Sequence, residues 1–235
     1  PDIAATQQVA RTVTQAAFNR AVASPSAAAG QTQTARANGT AAARAPFHAT
    51  ATANAAAEIV FGPEDGALAH KDVPQGAQQA IALKDPLLNL VLEADFVNPY
   101  DPAIEGRNWD YGFFLRRTQT TATAYNEYVL VVDSGGFVRL FSIVFPTADQ
   151  LDSRRLPEEL FDLKPGAVNT LSLHAQGEGL LLYLNGVFVA QMTLPTPAIN
   201  RPGQAGLVTG FQGGAALAGR QTEYRNLTVR ALPAP

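Results

Sequence analysis

Leu88-Asn-Leu-Val-Leu-Glu-Ala-Asp-Phe-Val97 is the stretch on which the fold turns. Leu88, Leu90, Leu92, Ala94 and Phe96 fall on one side of an extended chain, with Asn89, Glu93 and Asp95 on the other. That is the period of two of a strand with one dry face. Downstream the alternation returns: Trp109, Tyr111, Phe113 and Leu115 oppose Asp110, Gly112, Phe114 and Arg116, and Leu227, Val229 and Ala231 oppose Asn226, Thr228 and Arg230. Asp133-Ser-Gly-Gly136 and Asn185-Gly186 have the residue types of hairpin turns, where positive φ is needed.

Short apolar runs broken by Gly, Pro, Asn and Asp about every ten residues continue to the end of the chain, the pattern of an all-β domain. Strands are expected at 88–97, 109–116, 125–133, 137–145, 169–175, 180–184, 187–194, 205–211 and 223–231, with short edge strands at 66–70 and 79–83. One helical interruption is expected within 151–163, a single turn at 157–161. Nine to eleven strands with hairpin connections make a two-sheet antiparallel jelly-roll sandwich.

Composition breaks near residue 58 and divides the 235 residues into 1–57, a helix and spacer, and 58–235, the jelly roll. The first region holds 22 Ala, four Arg (Arg11, Arg20, Arg36, Arg44), one acid (Asp2) and few large apolar side chains, too little to bury a core of its own. Asp2 to Ala23 reads as a helix with a thin stripe of Ile3, Val9, Val13, Ala17 and Phe18, ended by Ser24-Pro25-Ser26. Residues 27 to 57 read as an Ala/Thr-rich spacer punctuated by Gly30, Gly39 and Pro46. A stripe that thin needs a surface to pack on. Ile3, Val9, Val13 and Phe18 are therefore the candidate assembly residues, docking on the chain's own sandwich, on a protein partner or on a second copy.

With 46% hydrophobic residues, the chain can fill a sizeable core. Zero Cys excludes disulfides, thiolate metal sites, iron–sulfur clusters and a Cys nucleophile. Three Lys and a net charge of −3 argue against nucleic acid as a partner. His48, His70 and His174 lack metal-binding spacing, and neither a G-x-S-x-G elbow nor a phosphate-binding glycine loop occurs, so no cofactor is expected. No run of ~18 apolar residues is present, and any membrane attachment is expected through an anchor outside this sequence.

The order of Leu88 to Val97, Trp109-Asp-Tyr-Gly-Phe-Phe-Leu-Arg116, Glu127-Tyr-Val-Leu-Val-Val-Asp133 and Leu180-Leu-Leu-Tyr-Leu-Asn-Gly186 resembles the concanavalin A-like jelly-roll superfamily, which includes laminin-G-like modules and 3-keto-disaccharide hydrolases. The resemblance spans about residues 58 to 232. With the Ala/Thr-rich spacer ahead of it, and with Asn98-Pro-Tyr-Asp-Pro102 near its start, the chain also looks like bacterial extracytoplasmic proteins that carry such a domain behind an N-terminal anchor. The resemblance implies an extracytoplasmic location at the cell envelope and a non-catalytic role in recognition or assembly. Two versions stand: a structural one, in which the helix and spacer tie the sandwich into a larger complex and the sheet is only surface, and a glycan-binding one on a sheet made concave by analogy with the fold, where Arg116, Asn126, Tyr128 and Arg139 are the candidate binding residues.

A sugar hydrolase is the enzymatic alternative, with Glu93 and Asp95 as acid and base. Retaining glucanases of the superfamily carry a further Glu in the same strand, where this chain reads Phe96-Val97-Asn98-Pro99. Calcium, used by some laminin-G-like modules, would need Asn98, Asp101 and Asp110 to converge. Trp109 is expected in the core, on the apolar side of its strand.

Overall fold

The structure, a computed structural model, describes residues 57–70, 78–81, 85–121, 124–211 and 217–233. The helix expected at Asp2 to Ala23, its stripe of Ile3, Val9, Val13 and Phe18, and the spacer up to residue 56 lie outside the described residues. Twelve strands and one short helix follow in order among those described. They are β1 (Ile59–Ala69), β2 (Gln78–Ile81), β3 (Leu90–Val97), α1 (Pro102–Glu105), β4 (Asp110–Gln119), β5 (Tyr125–Asp133), β6 (Phe137–Val144), β7 (Thr147–Arg155), β8 (Val168–Gln176), β9 (Gly179–Leu184), β10 (Val187–Thr193), β11 (Gln204–Thr209) and β12 (Gln221–Ala231). They pair antiparallel into two six-stranded sheets, ordered β1-β12-β3-β8-β9-β10 and β2-β11-β4-β5-β6-β7. These are called the first and the second sheet below.

The core lies between the sheets and is made of the inward residues of both. From β3 come Leu90, Leu92, Ala94 and Phe96, and from β4 come Tyr111, Phe113 and Leu115, all fully buried. Phe96 stacks on Tyr111 at 4.5 Å between ring centres, and Tyr111 on Trp109 at 5.3 Å. Each such ring takes about 150–250 Å² out of water, so this column contributes heavily to the core. Trp109 satisfies its indole N–H on the Tyr100 carbonyl at 2.9 Å.

Two polar clusters tie the layers together, and in them buried polar groups find partners, apart from His70 Nδ1. Asn98 Nδ2 donates to the carbonyls of Asp162 and Lys164, Tyr111 donates to Asn98 Oδ1, and Asn169 Nδ2 donates to the Asp162 carbonyl, which pins the 156–167 loop over one end of the sandwich. Near the end of β1, His70 Nε2 meets Thr222 Oγ1 at 2.8 Å and Thr209 Oγ1 at 3.2 Å, bridging β12 of the first sheet to β11 of the second. Burial lowers the His70 imidazole to about 4.

Three differences from the sequence reading have local causes. β7 is a full strand where an irregular stretch with a helical turn was expected. Thr147–Arg155 is mostly polar because it is an edge strand, paired only to β6, and edges are protected by charge. At 157–161 the chain makes a hydrogen-bonded turn, in which the Leu160 and Phe161 N–H groups donate to the Pro157 carbonyl, and no helix forms. α1 is a single turn that the reading lacks. Asp101 caps it by accepting from the Ala103 N–H at 2.8 Å, and Gly106 at φ 65° closes it.

Candidate functional site

β4 breaks its own alternation. Arg116 sits at φ 55° in a bulge between Leu115 and Thr118. Gly203 packs so closely on that bulge that a Cβ there would lie 2.5 Å from the Arg116 carbonyl carbon. The bulge turns Arg116 inward, where it is fully buried. Its guanidinium donates to the Leu88 carbonyl, to Asn200 Oδ1 and to the Gly177 carbonyl, and desolvation pushes its pKa down. Tyr128 is also interior: its hydroxyl accepts from the Thr196 N–H at 2.8 Å and lies 3.4 Å from Asn200 Oδ1. These two clamp the 194–203 segment and are not on a sheet surface.

Asn126 uses its Oδ1 to accept from the Phe145 N–H and so closes the end of the β5–β6 hairpin. Arg139 alone of the four is on an outer face, that of the second sheet, paired with Asp133 at 2.8 Å and lying over the Phe137 ring. The expected concave cluster of Arg116, Asn126, Tyr128 and Arg139 therefore does not assemble. A bulge moved one member, and the inward register of β5 took two others, Asn126 and Tyr128.

A different cluster assembles on the outer face of the first sheet. Antiparallel register sets Thr228, Glu93, Ser172, Tyr183 and Phe188 in one cross-strand row over β12, β3, β8, β9 and β10. At the usual strand spacing such a row is about 19 Å long. The adjoining row is Arg230, Val91, His174, Leu181 and Gln191. Tyr183 joins the two rows, its ring 4.9 Å from the His174 ring and 5.7 Å from that of Phe188. His174 Nε2 shares a hydrogen bond with Ser172 Oγ at 3.1 Å.

Most members of this face are half-buried: Glu93, His174, Tyr183, Phe188, Thr228 and Arg230 are all intermediate in exposure, and Gln191 is exposed. Two polar atoms on it, His174 Nδ1 and the Tyr183 hydroxyl, have no hydrogen-bond partner and are shielded from water. Leaving such groups unpaired costs on the order of 1–3 kcal/mol each. Desolvation brings the His174 imidazole down to about 4, so it is neutral at neutral pH with one nitrogen able to accept. Tyr183 is pushed up by the same cause and remains a phenol.

Glu93 and Asp95 share this face but differ in engagement. Asp95 accepts from Thr170 Oγ1 at 2.5 Å and from Asn226 Nδ2 at 2.8 Å, with Asn226 at φ 55°. It is a strand-joining carboxylate. Of the calcium candidates, Asn98 holds the 156–167 loop, Asp101 caps α1, and Asp110 accepts from the Phe211 N–H, so the three do not converge. Among the described residues no group of three or more His, Cys, Asp or Glu side chains could hold a metal.

Sequence reasoning missed Tyr183, His174 and Phe188. The alternation of 169–175 and 180–184 places Ser172, His174 and Tyr183 on one face, and the two-residue turn at Gly177-Glu178 sets their register. Only the assembled sheet brings in Glu93 and Thr228.

No protein-family model matches the chain, and no curated protein sequence is similar to it. Solved structures are similar in fold. The fructosyltransferase of A. japonicus superimposes with a TM-score of 0.54 at 15% identity, over 79% of this chain and 28% of the enzyme. The beta-fructofuranosidase of Aspergillus kawachii gives 0.53 at 14% identity, over 78% of this chain and 29% of the enzyme. Carbohydrate-binding module CBM66 from Bacillus subtilis gives 0.49 at 16% identity, over 73% of this chain and 98% of the module. The chain thus spans less than a third of the length of the two enzymes, and the likeness is one of fold.

Proposed function

We propose that this concanavalin A-like jelly roll is a non-catalytic carbohydrate-recognition module, with its ligand on the outer face of the first sheet, over Tyr183, His174, Ser172 and Glu93. The observation that carries the reading is the Tyr183–His174–Phe188 ring cluster with its two unpaired polar atoms. Sugars present an apolar ring face to aromatics and hydroxyls to acceptors and donors at the rim. Here the rings supply the platform. The Glu93 carboxylate supplies an acceptor beside them, and a ligand that displaced the side chains shielding His174 Nδ1 and the Tyr183 hydroxyl would give those atoms the partners they lack.

Support for a non-catalytic role comes from Asp95, whose two hydrogen bonds within the sheet suit a structural carboxylate better than a general base. The hydrolase reading keeps Glu93 as its acid. An extracytoplasmic setting belongs to the same proposal and rests on the Ala/Thr-rich residues 1–57 and the resemblance described above. Protease accessibility of the tagged protein in intact cells tests the location.

Function is tested by screening the full chain on a glycan panel. The expected result is binding of at least one glycan, weakened about tenfold or more by Tyr183→Ala with the near-ultraviolet spectrum of the core unchanged. Equal binding by Tyr183→Ala moves the ligand off this face. Sugar release that Glu93→Gln abolishes replaces the binding reading with the hydrolase reading.

A further inference from the structure

The second sheet carries an apolar cluster on the side facing away from the core. Phe114, Val129, Val131, Phe141 and Val208 are at 0% exposure, with Ile143, Ala148 and Phe211 close to it. The outer face of a two-layer sandwich meets water, and side chains standing on it cannot reach zero exposure by touching one another alone. Something covers them. Exposure is that of a single chain, so the cover belongs to this chain.

Tyr125 packs on the cluster, and the Arg117 guanidinium lies 4.1 Å from the Phe114 ring centre and 4.5 Å from that of Tyr125. No described strand lies across this face, since all twelve belong to the two sheets of the sandwich. The cluster spans β11, β4, β5, β6 and β7, about 19 Å at the usual strand spacing. The stretches outside the described residues at 71–77, 82–84, 122–123, 212–216 and 234–235 are short for that area.

We infer that residues 1–56 pack on this face of their own chain, with the stripe of Ile3, Val9, Val13 and Phe18 against the Phe114–Val129–Phe141 row. Length favours it: a helix from Asp2 to Ala23 would run about 33 Å, enough to cross all five strands. Charge on the face is already met within it, with Glu127 paired to Arg117, Asp133 to Arg139 and Asp110 accepting from the Phe211 N–H, so the contact is an apolar one. The partnership also explains both halves, a stripe too thin to stand alone and a sheet face too apolar to meet water.

Two measurements on the full chain test this. With p-benzoylphenylalanine in place of Tyr125, irradiation should link position 125 to a peptide from residues 1–56 in a monomeric product, read by mass spectrometry. A link to 1–56 only in a dimeric product transfers the face to a second copy, and links confined to the sandwich overturn the inference. The four-fold variant Ile3→Ser, Val9→Ser, Val13→Ser, Phe18→Ser alters nothing in the sandwich and should raise anilinonaphthalene sulfonate fluorescence about threefold with far-ultraviolet β signal retained. Unchanged dye binding overturns it. Because the glycan face is on the other sheet, Tyr183→Ala leaves the cross-link in place, so failure of one reading is separable from failure of the other.

Discussion

The row Gly206, Phe114, Val129, Phe141 and Gln150 on the second sheet, and the row Thr228, Glu93, Ser172, Tyr183 and Phe188 on the first, occupy equivalent places on the outsides of the sandwich. Phe114, Val129 and Phe141 are fully buried, while Glu93, Tyr183 and Phe188 are half-exposed. The same pleat therefore presents one covered face and one half-exposed face. Polarity alone does not separate the two, since each face carries aromatics and carboxylates. One difference is the ion pairs on the second sheet. Glu127 and Asp133 on the second sheet hold Arg117 and Arg139, at 2.7 and 2.8 Å, whereas His174 Nδ1 and the Tyr183 hydroxyl on the first have no partner.

The sharpest way to break this comparison is Phe141→Ala, which should destabilise the full chain by about 3–5 kcal/mol in urea unfolding, as for a packed core residue. A loss no larger than that of Tyr183→Ala would mean that the second sheet's outer face is ordinary surface. Between the two faces, inside the sandwich, Arg116→Leu leaves the Leu88 and Gly177 carbonyls and Asn200 without their donor. Its expected cost is about 2–3 kcal/mol. A neutral outcome would return Arg116 to the surface role first expected of it.

Acid sharpens the comparison further, because it acts through one histidine on the open face and one in the inter-sheet network. His70 and His174 are both lowered from 6.5 to about 4 by burial, so the folded protein binds their protons less readily than the unfolded chain. Stability should be level in this respect above pH 6.5, fall as pH drops from 6.5 toward 4, and level again below that. His174→Asn should remove part of the slope in a series of melting curves, and an unchanged slope would show that this ring is solvated. The smallest effect is expected from Tyr183→Phe. Deleting a shielded hydroxyl with no partner should leave stability unchanged or raise it by up to about 1 kcal/mol while weakening glycan binding. A clear loss of stability would mean that the hydroxyl has a structural partner.

Legibility followed the range of the interaction. The apolar sides of β3, β4 and β12 could be read from 88–97, 109–116 and 223–231 because alternation is local, and the hairpins at Asp133 and Asn185 because turn chemistry is. Asn185 and Gly186 do adopt φ 50° and 78°. β7 escaped notice because an edge strand needs little apolar patterning. Arg116 was assigned to the wrong side because a bulge inserts a residue without an obvious marker in its own strand, and the signal that supports it, Gly203, is far away in sequence.

What this chain's sequence determined by itself is the class of the fold, the change of composition near residue 58, and the thiol chemistries that zero Cys excludes. Each depends on composition or on neighbours within a few residues, which the pleat and the turn convert directly into geometry. Tertiary structure decided which strands lie side by side. Placing β3 between β12 and β8 carried Glu93 to Ser172 and Thr228, and hairpin pairing carried Tyr183 between His174 and Phe188. Register between distant strands is set by packing the two inner faces together, and no single segment encodes it.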